Sequence, residues 1–474
     1  MRVVGVARRA ALAVAVLAVL LVLPYGCGRK AVEPPPPPPP ASSPAVQQLR
    51  AGAEGANLII IVIDAARADH LSSFGYEMET SPRLDAFFVD TVLFPEARAE
   101  APNTKASISS LFTSQFPDTH GAVGVGMPLS DRGVTLAEVL KSQGYLTVAF
   151  SGNPFLAECF GFARGFDKFD EVFRQADLGP NEGGGVPPEL MLEAAVPWLR
   201  DHADERFFFY IHFLPPHAPY DPPAPFRFQF MHPPEWMMGL YDGNIAYVDD
   251  RVGQLLDEMD SLGLMDNSIV VFMSDHGEAF GEHGFTGHGT TVYEEMIHVP
   301  MAFHLPAACE ATLQRREECI GPTDVMPTVL DLYGMERPAG LQGRSRIRLL
   351  AGEEEPEPSF TISRTRGTDS SGGVDHPEQV SYAIAGTRYT LLLAEEGRRV
   401  ELYERAADTG QQANIAADHP DIVDGLRRQF EAWAETQRGR PVVLPGGHVV
   451  TSGEPRMTVD DQVQRQLRAL GYID

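Results

Sequence analysis

Asn57-Leu58-Ile59-Ile60-Ile61-Val62-Ile63-Asp64 sets an unbroken apolar, mostly β-branched run between two polar residues. A strand with no polar face must be covered on both sides, which describes a central strand of a parallel sheet. Ser268-Ile269-Val270-Val271-Phe272-Met273-Ser274-Asp275 repeats the pattern and again ends in a carboxylate. Arg206-Phe207-Phe208-Phe209-Tyr210-Ile211-His212-Phe213 is a third such strand, and Leu146-Thr147-Val148-Ala149-Phe150 a shorter one. Helical stretches, Leu136–Gln143, Leu190–Asp201 and Asn244–Leu262, lie between them. Alternating strands and helices predict an α/β, doubly wound, mainly parallel sheet with helices on both faces. Ligands of such sheets sit at the carboxyl ends of the strands, where Asp64, His212 and Asp275 fall.

Beyond Leu350 the texture changes. Gly352–Pro358 is acidic and proline-containing, and short strand-like pieces follow at Gln379–Ala385, Tyr389–Leu393 and Val400–Tyr403. They predict a small antiparallel sheet, followed by a helix over Pro420–Arg438. The expected organisation is a signal peptide (1–26), a Pro-rich membrane-tether linker (27–55), a catalytic domain (56–350), a small C-terminal α+β subdomain (351–445) and a tail (446–474).

The amino-terminal expectation rests on Arg2, Arg8 and Arg9, which precede an apolar run from Ala10 to Leu23 that breaks at Pro24. A basic start with so short an apolar core reads as a secretory signal, since a spanning helix needs about 20 apolar residues. Leu23-Pro24-Tyr25-Gly26-Cys27 resembles a bacterial lipoprotein cleavage site with Cys27 as the lipidated residue; an uncleaved anchor is the alternative. Either places the chain outside the cytoplasm, periplasmic or at the cell surface, tethered to a membrane. Seven consecutive prolines, Pro34 to Pro40, then form a stiff spacer.

Lys and Arg number 38 against 65 Asp and Glu, a formal net charge of −27 over 474 residues. So acidic a surface excludes nucleic acid as a partner and requires an anionic substrate to be attracted locally, by a metal or a few cations. Four cysteines are too few for a disulfide scaffold. Cys309 and Cys319 are spaced to bridge one surface loop, and two free thiols fit as well.

Asp64, Asp275 and the adjacent His276 make a plausible hard-oxygen-plus-imidazole set once the sheet brings them together. Each alone has a bland reading, as a helix cap or a structural histidine. Ala101-Pro102-Asn103-Thr104-Lys105-Ala106-Ser107-Ile108 reads as a loop feeding a helix, with Asn103 or Thr104 as N-cap. A hydroxyl there faces free backbone N–H groups and the positive helix end, which favour an alkoxide and a bound oxyanion. Plain capping by Thr104 would produce the same segment.

Order and company change the odds. Ile63-Asp64-Ala65-Ala66-Arg67-Ala68-Asp69-His70-Leu71, Ser81-Pro82-Arg83-Leu84-Asp85, the Thr104–Thr113 helix start and Gly165-Phe166-Asp167 resemble, in register, the sulfatases and their phosphoester-cleaving relatives in the alkaline phosphatase superfamily. So do His212-Phe213-Leu214-Pro215-Pro216-His217, Tyr241–Asp249, Ser274-Asp275-His276-Gly277-Glu278, Gly281-Glu282-His283-Gly284, Gly287-His288-Gly289 and Leu341-Gln342-Gly343. The resemblance implies an alkaline-phosphatase-like fold and a hydrolase acting on an anionic ester, carried by a glycan or a lipid head group. It implies Asp64, Thr104, Asp275 and His276 as ligands of one divalent ion, with Thr104 also the nucleophile. It places His217 and His288 at the substrate's oxygens or leaving group, and Lys105, His212 and Asn153 as substrate contacts. Arg67, Asp69 and His70 are expected to be structural, and Glu278, Glu282 and His283 to order loops.

The departures point to a branch. In sulfatases the nucleophile is a Cys or Ser converted to formylglycine, with an Arg four residues on; here Thr104 and Ile108 occupy those positions. Threonine cannot give the aldehyde. A second metal-binding Asp usual in sulfatases is replaced by Ala65. Both changes resemble the threonine-nucleophile branch of phosphodiesterases and phosphotransferases. The histidine leans the ion towards Mn, Zn or Mg over Ca. A sulfate-ester hydrolase without formylglycine, or a silent surface binding protein, are the alternatives.

Overall fold

Asn57–Asp64 forms strand β1 with all eight residues buried. Each fully buried Leu, Ile or Val contributes roughly 1.5–3 kcal/mol, so this run anchors the body of the protein. The chain is described by a computed structural model over residues 42–124, 126–131, 133–176, 186–231, 236–311, 314–356, 359–365, 380–394, 397–437 and 459–470. The expected signal peptide, Cys27 and the proline run lie outside the described residues.

The strands that follow are β2 (Val92–Leu93), β3 (Leu146–Ser151), β4 (Lys168–Asp170), β5 (Phe207–Pro216), β6 (Ser268–Ser274), β7 (Ala279–Phe280), β8 (Thr286–Gly287), β9 (Met301–His304) and β10 (Gln314–Arg315). Seven of them and β1 form one sheet in the order β10-β2-β9-β6-β1-β5-β3-β4. β1 is parallel to both neighbours, pairing Val62 with His212 of β5 and Ile63 with Ser274 of β6. β3 is parallel to β5 and pairs Ser151 with His212. Only β9 runs against its neighbours. This register brings the ends of β1, β3, β5 and β6 to one edge, and with them Asp64, Asn153, His217 and Asp275.

Helices cover the sheet much as the sequence predicts, at Leu136–Ser142, Pro188–His202 and Trp236–Ser261. The last begins eight residues earlier than expected, because Gly239 and Gly243 let it approach the Phe226–Met231 backbone so closely that a side chain would clash. The Thr104–Thr113 helix is buried along its whole length. Its N-cap is Asn103, whose Oδ1 accepts from Ala106 N at 3.1 Å, so Thr104 is released from capping.

A second sheet, in the order β11-β12-β13-β14, is antiparallel throughout: β11 (Phe360–Thr365), β12 (Ser381–Gly386), β13 (Tyr389–Ala394) and β14 (Arg399–Glu404). β11 is an additional strand beyond the three expected there. Its alternation is weak, yet Ser363 Oγ donates to Ala99 O at 2.6 Å and Thr365 Oγ1 to Gly289 O at 2.7 Å, stitching this sheet to the segments beside the main sheet. The helix Pro420–Gln437 lays Leu426, Phe430 and Trp433 against it.

Two expectations are corrected, and one left open is decided. The tether linker does not run to residue 55: Pro44–Ala53 is a helix capped by Ser43, and Val46 and Leu49 join the main core. The tail holds a helix at Asp461–Ala469 whose Val463 and Leu467 enter the same core, while Arg174 pairs with Asp460 at 2.8 Å. Cys309 and Cys319 are free buried thiols rather than a bridge. No described helix is long and apolar enough to cross a membrane.

Candidate active site

The two carboxylates at the strand ends each have one crowded oxygen and one bare oxygen. Asp64 Oδ2 accepts from Asn153 Nδ2 at 2.5 Å, His212 Nε2 at 2.9 Å and Thr104 Oγ1 at 3.5 Å. Asp275 Oδ1 accepts from the backbone N–H of His276 at 2.9 Å and of Ala65 at 3.1 Å. Asp64 Oδ1 and Asp275 Oδ2 are buried with no hydrogen-bond partner. Both lie 3.5 Å from His276 Nε2.

His276 is oriented to match. Its Nδ1–H donates to Gly277 O at 2.8 Å, which leaves a lone pair on Nε2. Burial holds the imidazole well below its ordinary pKa, hence neutral. Thr104 Oγ1 lies 3.2 Å from the same Nε2. Two bare carboxylate oxygens, one imidazole lone pair and one hydroxyl thus converge, and stranding two buried carboxylate oxygens is costly unless a cation joins them. Burial pushes Asp64 up, and burial together with Asp64 pushes Asp275 to about 7. The donor set fits one divalent ion.

His212 is close enough to join, its ligand nitrogen and those two carboxylates lying within 4.8 Å of one another. Both its nitrogens are engaged, however: Nε2 with Asp64, and Nδ1 with Tyr210 Oη at 2.8 Å. Burial lowers its pKa to about 4, so it is a neutral donor that aims Asp64. Asn153 does the same and also reaches Thr104 Oγ1 at 3.3 Å.

A backbone bend holds β1's end in place. Ala65 has φ +59°, a left-handed conformation costing an L-residue about 1–2 kcal/mol. Tyr241 Oη compensates, donating to Ala65 O and accepting from Arg67 N, each at 2.8 Å. Arg67 itself binds Asp69, Glu282 and Glu278 O, as the structural reading expects.

His217 and His288 stand beside this cluster. Their ring centroids are 4.9 Å apart, and His288 is 4.4 Å from His276. Burial alone would lower the His288 pKa, yet the Glu278 carboxylate, 3.1 Å from its Nδ1, holds it above the ordinary value. Burial lowers that of His217. His283 stacks on Tyr293 at 3.7 Å and bonds Glu295, ordering its loop. Lys105 turns elsewhere: its Nζ donates to Gly124 O at 3.1 Å and lies 4.0 Å from the Phe160 ring, and burial lowers its pKa to about 7. Sequence reasoning missed the orienting contacts of Tyr210, Tyr241 and Glu278. Tyr210 and Glu278 each stand two residues from a site residue, whereas Tyr241 comes from the helix Trp236–Ser261.

Residues 56–335, more than half of the chain, match the model of the Sulfatase family. The chain belongs to the sulfatase family. Residues 281–436 also match the model described as N-sulphoglucosamine sulphohydrolase, C-terminal. Among sulfatases of known activity, the ulvan-active sulfatase of Formosa agariphila is 26% identical over 398 residues, 76% of each chain. An arylsulfatase of Clostridium perfringens is 24% identical over 488 residues, covering 85% of this chain and 98% of its own. The phosphonate monoester hydrolase of Agrobacterium radiobacter shares the fold at TM-score 0.69 and 19% identity, over 81% of this chain and 96% of that one. The sulfatase fold, a large mostly parallel sheet with a small antiparallel C-terminal sheet, is thereby established for this chain.

Proposed function

We propose that this sulfatase-family hydrolase cleaves phosphate-type esters by a two-step displacement in which Thr104 is the nucleophile. The observation that carries the reading is the seat of Thr104 Oγ1, freed from capping and 3.2 Å from His276 Nε2 beside two bare carboxylate oxygens. Asp64, Thr104, Asp275 and His276 would hold one divalent cation, Mn, Zn, Mg or Ca. Such an ion supplies charge neutralisation of the substrate oxygens and a lower pKa for the hydroxyl it contacts.

The chain's own groups do the rest. Asn153 and His212 keep Asp64 aimed, and Asn153 also steadies Thr104. The Thr104 oxygen attacks in line as its proton leaves to solvent, and His217 and His288 face the opposite, leaving oxygen. Water, or an acceptor alcohol, then releases the group from Thr104. Phosphate-type esters are favoured because threonine carries one hydroxyl on its reacting carbon. It cannot expel a bound group by the elimination open to an aldehyde hydrate.

Sulfate esters are the second reading, favoured by similarity to an ulvan-active sulfatase over 76% of both chains. An anionic glycan ester would then be the substrate class. Export and a membrane tether through Cys27 are proposed from the basic-then-apolar start alone; Cys27→Ala should release the protein from detergent-extractable membranes. Turnover of chromogenic phosphodiesters, phosphonates, phosphates and sulfates, each with several metals, tests the reading. Higher kcat/KM on a phosphorus ester than on any sulfate supports it, and the reverse order replaces it with the second.

A further inference from the structure

Glu278 is fully buried, and its Oε1 sits 3.1 Å from His288 Nδ1. Its backbone is fixed at both polar groups: N–H donates to Glu295 O at 2.8 Å and C=O accepts from Arg67 Nη1 at 3.1 Å. Gly277 permits this placement, since a Cβ there would lie 2.2 Å from Glu295 O. His288 returns over Glu278 through the β7–β8 hairpin, and the loop is pinned separately by Thr365 Oγ1 on Gly289 O. The loop is thus pinned through its backbone, and the carboxylate's side-chain partners are His288 and Tyr220.

A fully buried carboxylate is expensive, and a neutral side chain would hold the loop more cheaply. What it does supply is a fixed imidazole. With Nδ1 committed to Glu278, the other ring nitrogen is the one presented beside His276 and His217, whose ring centroids lie 4.4 and 4.9 Å away. We infer that Glu278 is a positioning residue that fixes His288 as the proton donor to the leaving oxygen. This rests on the displacement proposed above. In that step the Thr104 oxygen bonds to phosphorus, the bond from phosphorus to the leaving oxygen breaks, and that oxygen keeps the pair. One proton passes to it from His288, while Nδ1–H stays on Glu278.

A series of esters with progressively poorer leaving groups, from 4-nitrophenyl through phenyl to alkyl, tests this on the intact chain. Glu278→Gln should lose about 10²-fold in kcat/KM on the phenyl ester and only a few-fold on the 4-nitrophenyl ester, which needs little protonation. His288→Ala should show the same tilt, and the double variant should be no worse than His288→Ala. Glu278→Asp keeps the charge and should recover part of the phenyl-ester rate, which separates positioning from damage to the fold. Equal loss across the series, or additive losses in the double variant, overturns the role of Glu278. A His288→Ala variant with no leaving-group dependence likewise overturns the inference, whereas a fully active Thr104→Ala overturns the displacement reading beneath it.

Discussion

Thr104 Oγ1 and His276 Nε2 lie 3.2 Å apart although 172 residues separate them in sequence. The contact exists because β1 and β6 are neighbours in parallel register, while the Thr104–Thr113 helix points its first turn at their ends. Thr104 can face the cluster because Asn103 does the capping.

Asp275→Asn should abolish stoichiometric metal. One of its oxygens is held by two backbone N–H groups, so the bare Oδ2 is the one to be spent on a cation. Elemental analysis should find close to one divalent ion per wild-type chain and far less in the variant. Chelation should destabilise wild type and leave the variant unchanged. At a metal concentration a hundredfold above Kd, wild type should regain about 2.7 kcal/mol, read as a rise in Tm.

Glu100 should make stability fall as the pH rises. Burial pushes its carboxyl up to about 8, although Thr323 N and Oγ1 donate to Oε1 at 3.0 and 2.7 Å. The folded chain holds a proton that the unfolded chain releases near 4.5, so the contribution is full below that pH and is lost on approach to 8. Glu100→Gln should match wild type near pH 4.5 and exceed it near pH 8 in urea-midpoint measurements.

Much of the fold was legible because the central strands are hydrophobic on both faces. Asn57–Asp64 and Ser268–Asp275 announce buried parallel strands, and their terminal carboxylates mark the site edge. The motifs placed Asp64, Thr104, Asp275 and His276 together. Lys105 was less legible: the resemblance implied a substrate contact, but a helix turns successive residues apart, and the ammonium of Lys105 lies over the Phe160 ring. The helices Pro44–Ala53 and Asp461–Ala469 were hidden because their buried faces are only two or three residues wide and their partners lie far away in sequence.

Leu467→Ala tests that terminal helix. Its side chain is buried in the main core, beside Gln466, which bonds Phe173 O. Emptying that position should cost about 2–5 kcal/mol. A shift of the denaturation midpoint by that amount fits docking of the helix; an unchanged midpoint would detach it from the body.

The central claim is that Thr104 becomes covalently modified during turnover. Wild type quenched during steady-state turnover of a phosphorus ester and digested with trypsin should yield Ala99–Lys105 carrying one phosphoryl group. Thr104→Ala should keep its fold, give no adduct and lose on the order of 10³-fold or more in kcat, while Thr104→Ser retains measurable activity. An unmodified Thr104 peptide together with a fully active Thr104→Ala would contradict the account.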